Sequence, residues 1–93
     1  MIKSLNGADT ELLWETGKSR RIPANVRRVA LKKLALLHWA ASLADLAVPG
    51  GYRLEPLAGD RKGQHSIRVN DQYRLCFRWQ GADAFDVEIV DYH

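Results

Sequence analysis

Tyr73-Arg74-Leu75-Cys76-Phe77-Arg78-Trp79-Gln80 is the run that decides the architecture. Tyr73, Leu75, Phe77 and Trp79 alternate with Arg74, Cys76 and Arg78, the period of a strand with one core face and one wet, cationic face. Three further runs read as strands: Tyr52 to Leu57, Gln64 to Asn70 and Ala84 to Tyr92. Ala58-Gly59-Asp60-Arg61-Lys62-Gly63, Asp71-Gln72 and Gly81-Ala82-Asp83 separate them, and links this short imply an antiparallel meander. In the second strand His65, Ile67 and Val69 go inward. Arg53, Glu55, Ser66, Arg68 and Asn70 join Arg74 and Arg78 on the outward side.

Ahead of Gly51 the period is helical. Ile2 to Leu5 is a short strand candidate, and Asn6-Gly7 turns the chain toward a first helix with Leu12, Leu13 and Trp14, capped by Asp9 or Thr10 and stopped by Gly17. Pro23 suits the first turn of a second helix, whose buried stripe is Val26, Ala30, Leu34, Leu37 and Ala41. Arg28 and Lys32 then face the other way. Residues 41 to 47 continue this helix or form a short third one, and Pro49-Gly50-Gly51 ends it. Two to three N-terminal helices on a mostly antiparallel twisted sheet make an α+β sandwich.

With 93 residues, 46% of them apolar and 27% charged, the chain suits one globular domain spanning residues 1–93. Cys76 is the single cysteine, so an internal disulfide is excluded and no CxxC pair is available for zinc. There is no signal-peptide pattern, and the most apolar stretch, Leu34 to Leu43, falls far short of a membrane span; a cytoplasmic protein without membrane association is expected. The formal charge is +3, but Lys18, Arg20, Arg21, Arg27, Arg28, Lys32 and Lys33 lie in a stretch with no acid between Glu15 and Asp45. Such a field suits a polyphosphate such as RNA; an ordinary solvated helix face explains it equally well.

The outward sheet face and the closing Asp91-Tyr92-His93 are where chemistry concentrates. Ribonuclease chemistry without a metal needs a base for the ribose 2'-hydroxyl, an acid for the leaving 5'-oxygen and cations around the phosphoryl group. Glu55, His93 and Arg74 fit those roles in turn. Strand alternation places Tyr92, rather than His93, on the wet face. Read alone, the triplet is better taken as a frayed polar tail, and only the rest of the sequence reverses that preference. His65 has the parity of a packed histidine, His38 belongs at the edge of the helix-sheet interface, and Trp14, Trp39 and Trp79 read as core or core-edge residues. Arg61 and Lys62 are expected at the tip of the loop that Gly59-Asp60 and Gly63 shape, where their charge suits RNA.

Three ordered blocks carry a more specific signal. Leu57-Ala58-Gly59-Asp60-Arg61-Lys62-Gly63 is followed by His65-Ser66-Ile67-Arg68-Val69-Asn70-Asp71-Gln72-Tyr73-Arg74-Leu75-Cys76-Phe77 and then by Val87-Glu88-Ile89-Val90-Asp91-Tyr92-His93. This pattern resembles the HigB-type toxins of the RelE/ParE superfamily. The resemblance implies a compact RelE-like toxin that enters the ribosomal A site and cleaves mRNA there with no metal and no cofactor. It also implies a cognate helix-turn-helix antitoxin of the HigA type. It further assigns Arg74 as the phosphate-stabilising arginine and Asp91, Tyr92 and His93 as the terminal catalytic triplet. Glu55 stands where related toxins have a histidine, Ala58 where they have a lysine and Asn70 where they have an arginine, so the identity of the base is open. A toxin of the ParE kind that inhibits gyrase, or a non-catalytic RNA- or protein-binding module, are the competing readings; the terminal triplet favours the nuclease.

Overall fold

A computed structural model describes residues 1–47 and 52–91. Pro49-Gly50-Gly51, Tyr92 and His93 lie outside the described residues. The elements are helix α1 (Ala8–Thr16), helix α2 (Ala24–Trp39), a 3-10 turn at Leu43–Leu46, and strands β1 (Glu55–Pro56), β2 (His65–Arg68), β3 (Tyr73–Gln80) and β4 (Asp83–Asp91), with a second 3-10 turn at Gly59–Arg61 between β1 and β2. The strands form one antiparallel sheet in the order β1-β2-β3-β4. The expected α+β meander is therefore present, and β3 has the bounds the sequence suggests.

Helix α2 forms where its apolar residues recur every three to four positions. Val26, Ala30, Leu34 and Leu37 are buried and join Ile67, Leu75, Phe77 and Val87 in one cluster. Ala41 does not extend the stripe: α2 ends at Trp39, Ala40 is its extended C-terminal cap, and Ala41 is exposed. A capping box of Ser42 and Asp45 then starts the 3-10 turn. Helix α1 is capped differently from expectation. Gly7 occupies the N-cap, Asp9 pairs instead with Arg21 at 3.4 Å, and the buried Thr10 hydroxyl accepts the Ile89 N–H. Gly17 ends α1 in the left-handed conformation, at φ 75°, with its N–H on the Leu13 carbonyl.

The Ile2 to Leu5 segment is laid along β4. Isolated parallel bridges join Ile2 to Ala84 and Leu5 to Val87. Between Cys76 and Arg78 the β3–β4 register slips, and Asp86, at φ 53°, is the strained residue of the irregularity. Ser4 satisfies the exposed backbone there. Its hydroxyl accepts from Asp86 N–H at 2.8 Å and its carbonyl from Val87 N–H at 3.1 Å. Trp14 and Trp79 sit half-buried against the core, as expected, but Trp39 is 80% exposed. The reason is position: Trp39 is the last residue of α2, two past the end of the buried stripe at Leu37. His38 takes the expected edge place, its Nδ1 accepting the Ile2 N–H. His65 packs on Phe77 with ring centroids 6.3 Å apart.

Phe77 is fully buried on the central strand. Phe77→Ala should cost about 3–5 kcal/mol, through lost transfer energy and the cavity left behind. A urea denaturation series comparing it with the parent checks this, and a loss below about 1 kcal/mol would mean the core collapses around the gap.

Candidate active site

The register of the sheet assembles the outward face. Glu55 lies opposite Ser66, Ser66 opposite Cys76 and Cys76 opposite Glu88, while Arg68 lies opposite Arg74 and Arg74 opposite Val90. Side chains of one parity therefore gather into two rows, one ending in carboxylates and one centred on two arginines. Arg74 is the hub. Its Nε donates to Ser66 Oγ at 2.7 Å, one terminal nitrogen donates to the Arg53 carbonyl at 2.7 Å, and the same nitrogen lies 3.9 Å from Glu55 Oε2. The Arg74 side chain is 12% exposed, whereas Glu55 is 59% exposed. The Ser66 hydroxyl and the Arg53 carbonyl orient the guanidinium from two sides, and the carboxylate of Glu55 beside it stays accessible.

Arg53 adopts a left-handed conformation at φ 49°, unusual for a residue with a Cβ. This geometry accompanies the aim of its carbonyl at Arg74. Strain of this kind, on the order of 1–3 kcal/mol, persists where surrounding structure enforces it.

The face is drier than alternation implies. Ser66 and Cys76 are both fully buried, although strand parity puts them on the side expected to be wet. The loop between β1 and β2 accounts for this. Arg61 is not displayed at the loop tip but folds back half-buried, donating to Gln64 Oε1 and to Glu88 Oε1, each at 3.1 Å. Glu88 also accepts from Asn6 at 3.2 Å, so this carboxylate fixes the loop to β4. Its anchoring role went unread in the sequence, although its parity with Val90 puts it on the outward face. Lys62 alone of the pair is exposed. Arg78 pairs with Asp86 at 3.3 Å, and its guanidinium closes on Gly63, where an added Cβ would lie 3.1 Å from it.

Asp91 is placed apart from this cluster. It pairs with Tyr73 across the strands, one step beyond Val90, and its carboxylate accepts from Gln72 at 3.0 Å. With Tyr73, Ile89, Thr10, Asp9, Arg21 and Ile22 it lines a cleft of about 400 Å³ on the helix side of the sheet. The structure thus brings Arg74, Glu55, Ser66 and Arg68 onto one face and leaves Asp91 at its edge.

The basic residues divide by what holds them. Arg27 donates to the Ser19 carbonyl at 2.8 Å and Arg21 pairs with Asp9, so both tie the α1–α2 connection together. Lys18, Arg20, Arg28 and Lys32 are exposed. Arg68 pairs with Asp71 across the turn. Lys33 lies 4.4 Å from the centroid of the Tyr52 ring. Desolvation by burial, then the neighbouring charges of Lys32 and Arg68, hold its pKa below the ordinary 10.5. Lys33 thus lies within electrostatic reach of Arg68 on β2.

An α+β sandwich of this build, two N-terminal helices on a four-stranded antiparallel sheet, is a RelE-like fold. The whole fold is similar to the crystal structure of a YafQ mutant from E. coli, with a TM-score of 0.61 at 20% identity over 99% of this chain and 92% of that one. Residues 6–93 match the family of RelE-like HigB toxins of type II toxin-antitoxin systems, and the chain belongs to that family. Toxin HigB-1 of Vibrio cholerae is 44% identical over 70 residues, 74% of each chain. Endoribonuclease HigB of Proteus vulgaris is 35% identical over the full length of both. The protein is a type II toxin homologous end to end with an endoribonuclease, and a toxin of this type has a cognate antitoxin.

The lowered pKa of Lys33 fixes the sign of a pH effect. Its folded form binds the proton less tightly than the unfolded chain, so stability rises with pH between the lowered pKa and 10.5, where the unfolded chain holds more protons. Lys33→Met should flatten that rise while leaving the neutral-pH fold intact. Urea midpoints measured from neutral pH to the alkaline limit of folding check it.

Proposed function

We propose that this toxin is an endoribonuclease that cleaves mRNA in the ribosomal A site and is silenced by a helix-turn-helix antitoxin of the HigA type. The observation that carries the reading is the Arg74 guanidinium, set between Ser66 Oγ and the Arg53 carbonyl with Glu55 at 3.9 Å. In RNA cleavage the 2'-oxygen attacks phosphorus, its proton passes to a base, and the P–O5' bond breaks as the 5'-oxygen takes a proton from an acid. Negative charge grows on the phosphoryl oxygens in the transition state. A preoriented guanidinium stabilises that charge without reorganising.

Glu55 is assigned as the base because it is the accessible carboxylate beside Arg74. As an acceptor it orients the 2'-hydroxyl and takes its proton. His93, with Tyr92 beside it, is assigned as the acid on sequence alone, imidazole being the side chain that titrates near neutrality. Asp91 serves these two by fixing the strand end through Gln72. The exposed cations Lys18, Arg20, Arg21, Arg28, Lys32 and Lys62, with the more enclosed Arg27, Lys33, Arg61 and Arg68, supply the attraction to rRNA. No helix among the described residues is long and apolar enough to cross a membrane.

Arg74→Ala should lower mRNA cleavage on programmed ribosomes by about 10²- to 10³-fold with the fold preserved. A folded Arg74→Ala protein that cuts at the parent rate ends the assignment. Glu55→Gln should slow cleavage by about 10²-fold or more while leaving ribosome binding unchanged. Single-turnover rates decide between base and bystander: an undiminished rate makes Glu55 a support for Arg74 and moves the base elsewhere.

A further inference from the structure

The outer face of α2 carries a residue that neither the core nor the Arg74 cluster uses. Arg28, Lys32 and Trp39 recur at intervals of four and seven, which on a helix is a single line of side chains. All three are exposed, and Trp39 is 80% exposed. At ~1.5 Å of rise per residue the two cations lie about 6 Å apart along the axis and the indole about 10 Å further on. An indole left in water forgoes the large gain of burying it, so its exposure calls for a use.

The ring is also held. His38 meets it edge to face, with centroids 5.0 Å apart and planes at 86°. His38 is fixed in turn by the Ile2 N–H on Nδ1 and by Trp14 at 5.4 Å. Helix α2 carries no acid at all, and Asp45, the nearest in sequence beyond it, directs its carboxylate to the Ala41 and Ser42 N–H groups. Beside the ring a shallow cleft is lined by Leu36, Ala40, Asp45, Leu46 and Tyr52, an apolar and aromatic floor that suits the face of a base, and the exposed line leading to it carries two cations. A positive track ending in an open aromatic face is the device that binds unpaired nucleotides, with phosphates on the cations and a base on the ring.

We propose that Trp39 is a stacking platform for an unpaired base of ribosomal RNA, with Lys32 and Arg28 holding the adjoining phosphates. This rests on the ribosome-directed reading above and adds a contact on the helix side, away from the Arg74 face. The test is affinity for purified 70S ribosomes as a function of salt, for the parent, Trp39→Ala, Trp39→Phe and Lys32→Ala. Trp39→Ala should bind roughly tenfold more weakly with an unchanged salt slope, because stacking releases no counterions. Trp39→Phe should recover most of that loss, and Lys32→Ala should reduce the slope by about 1. Affinity for the cognate antitoxin, measured on the same proteins, should not change with Trp39→Ala. If the parent binds ribosomes and Trp39→Ala binds equally well, the platform is overturned while the ribosome reading stands. Weakened antitoxin binding with ribosome affinity intact overturns it in favour of a protein contact. A parent that does not bind ribosomes removes both.

Discussion

The burial of one stripe of α2 against β3 is the interaction on which the rest depends. Val26, Ala30, Leu34 and Leu37 meet a sheet face built by Ile67, Leu75, Phe77 and Val87. A helix stripe and a sheet face each have one apolar side, so joining them leaves the opposite surface of both elements free for other work. Cations occupy both free surfaces here: Arg28 and Lys32 outside α2, and Arg68 and Arg74 outside the sheet. Two positive faces on opposite sides of a body 31 × 26 × 25 Å suit a ligand that surrounds the protein rather than one that meets a single patch.

The sheet face shows how a positive charge is kept available. Arg68 and Arg74 are directly opposed in the β2–β3 register, an arrangement that like charges disfavour. The two are handled differently. Arg68 is turned to Asp71 at the strand end, while Arg74 is drawn toward the fully buried Ser66 hydroxyl and the Arg53 carbonyl. The two acceptors fix the guanidinium plane. Glu55, at 3.9 Å and largely in solvent, compensates its charge only weakly.

Much of this was legible in the residues. Strict alternation over Tyr73 to Gln80 determined both the strand and its faces, because a half-buried strand forces that period. The stripe of α2 was equally plain up to Leu37. Misreadings share a cause: each concerns a side chain whose surroundings are set by a distant segment. Ser66 and Cys76 have the parity of a wet face but are roofed by a loop pinned through Arg61 to Glu88, a contact across 27 residues. Thr10 looked like a helix cap and instead receives an N–H from β4, 79 residues away. Trp39 read as core or core-edge because large aromatics contribute most there, and the end of the helix two residues past the stripe left it outside.

The segment seated along β4 has a consequence for neutralisation. An exposed strand edge is an invitation to pair, and many regulatory peptides act by adding a strand there. On β4 that position is already taken by this chain's own first residues, with Lys3 and Asn6 donating to the Ala84 and Val87 carbonyls. At the other margin β1 is two residues long and includes Pro56, which has no N–H to offer. An antitoxin therefore finds no ready ladder on β4 and little on β1. Among the described residues the fold thus presents to a partner chiefly side chains on the faces of the sandwich, and few free main-chain groups along these two stretches of edge.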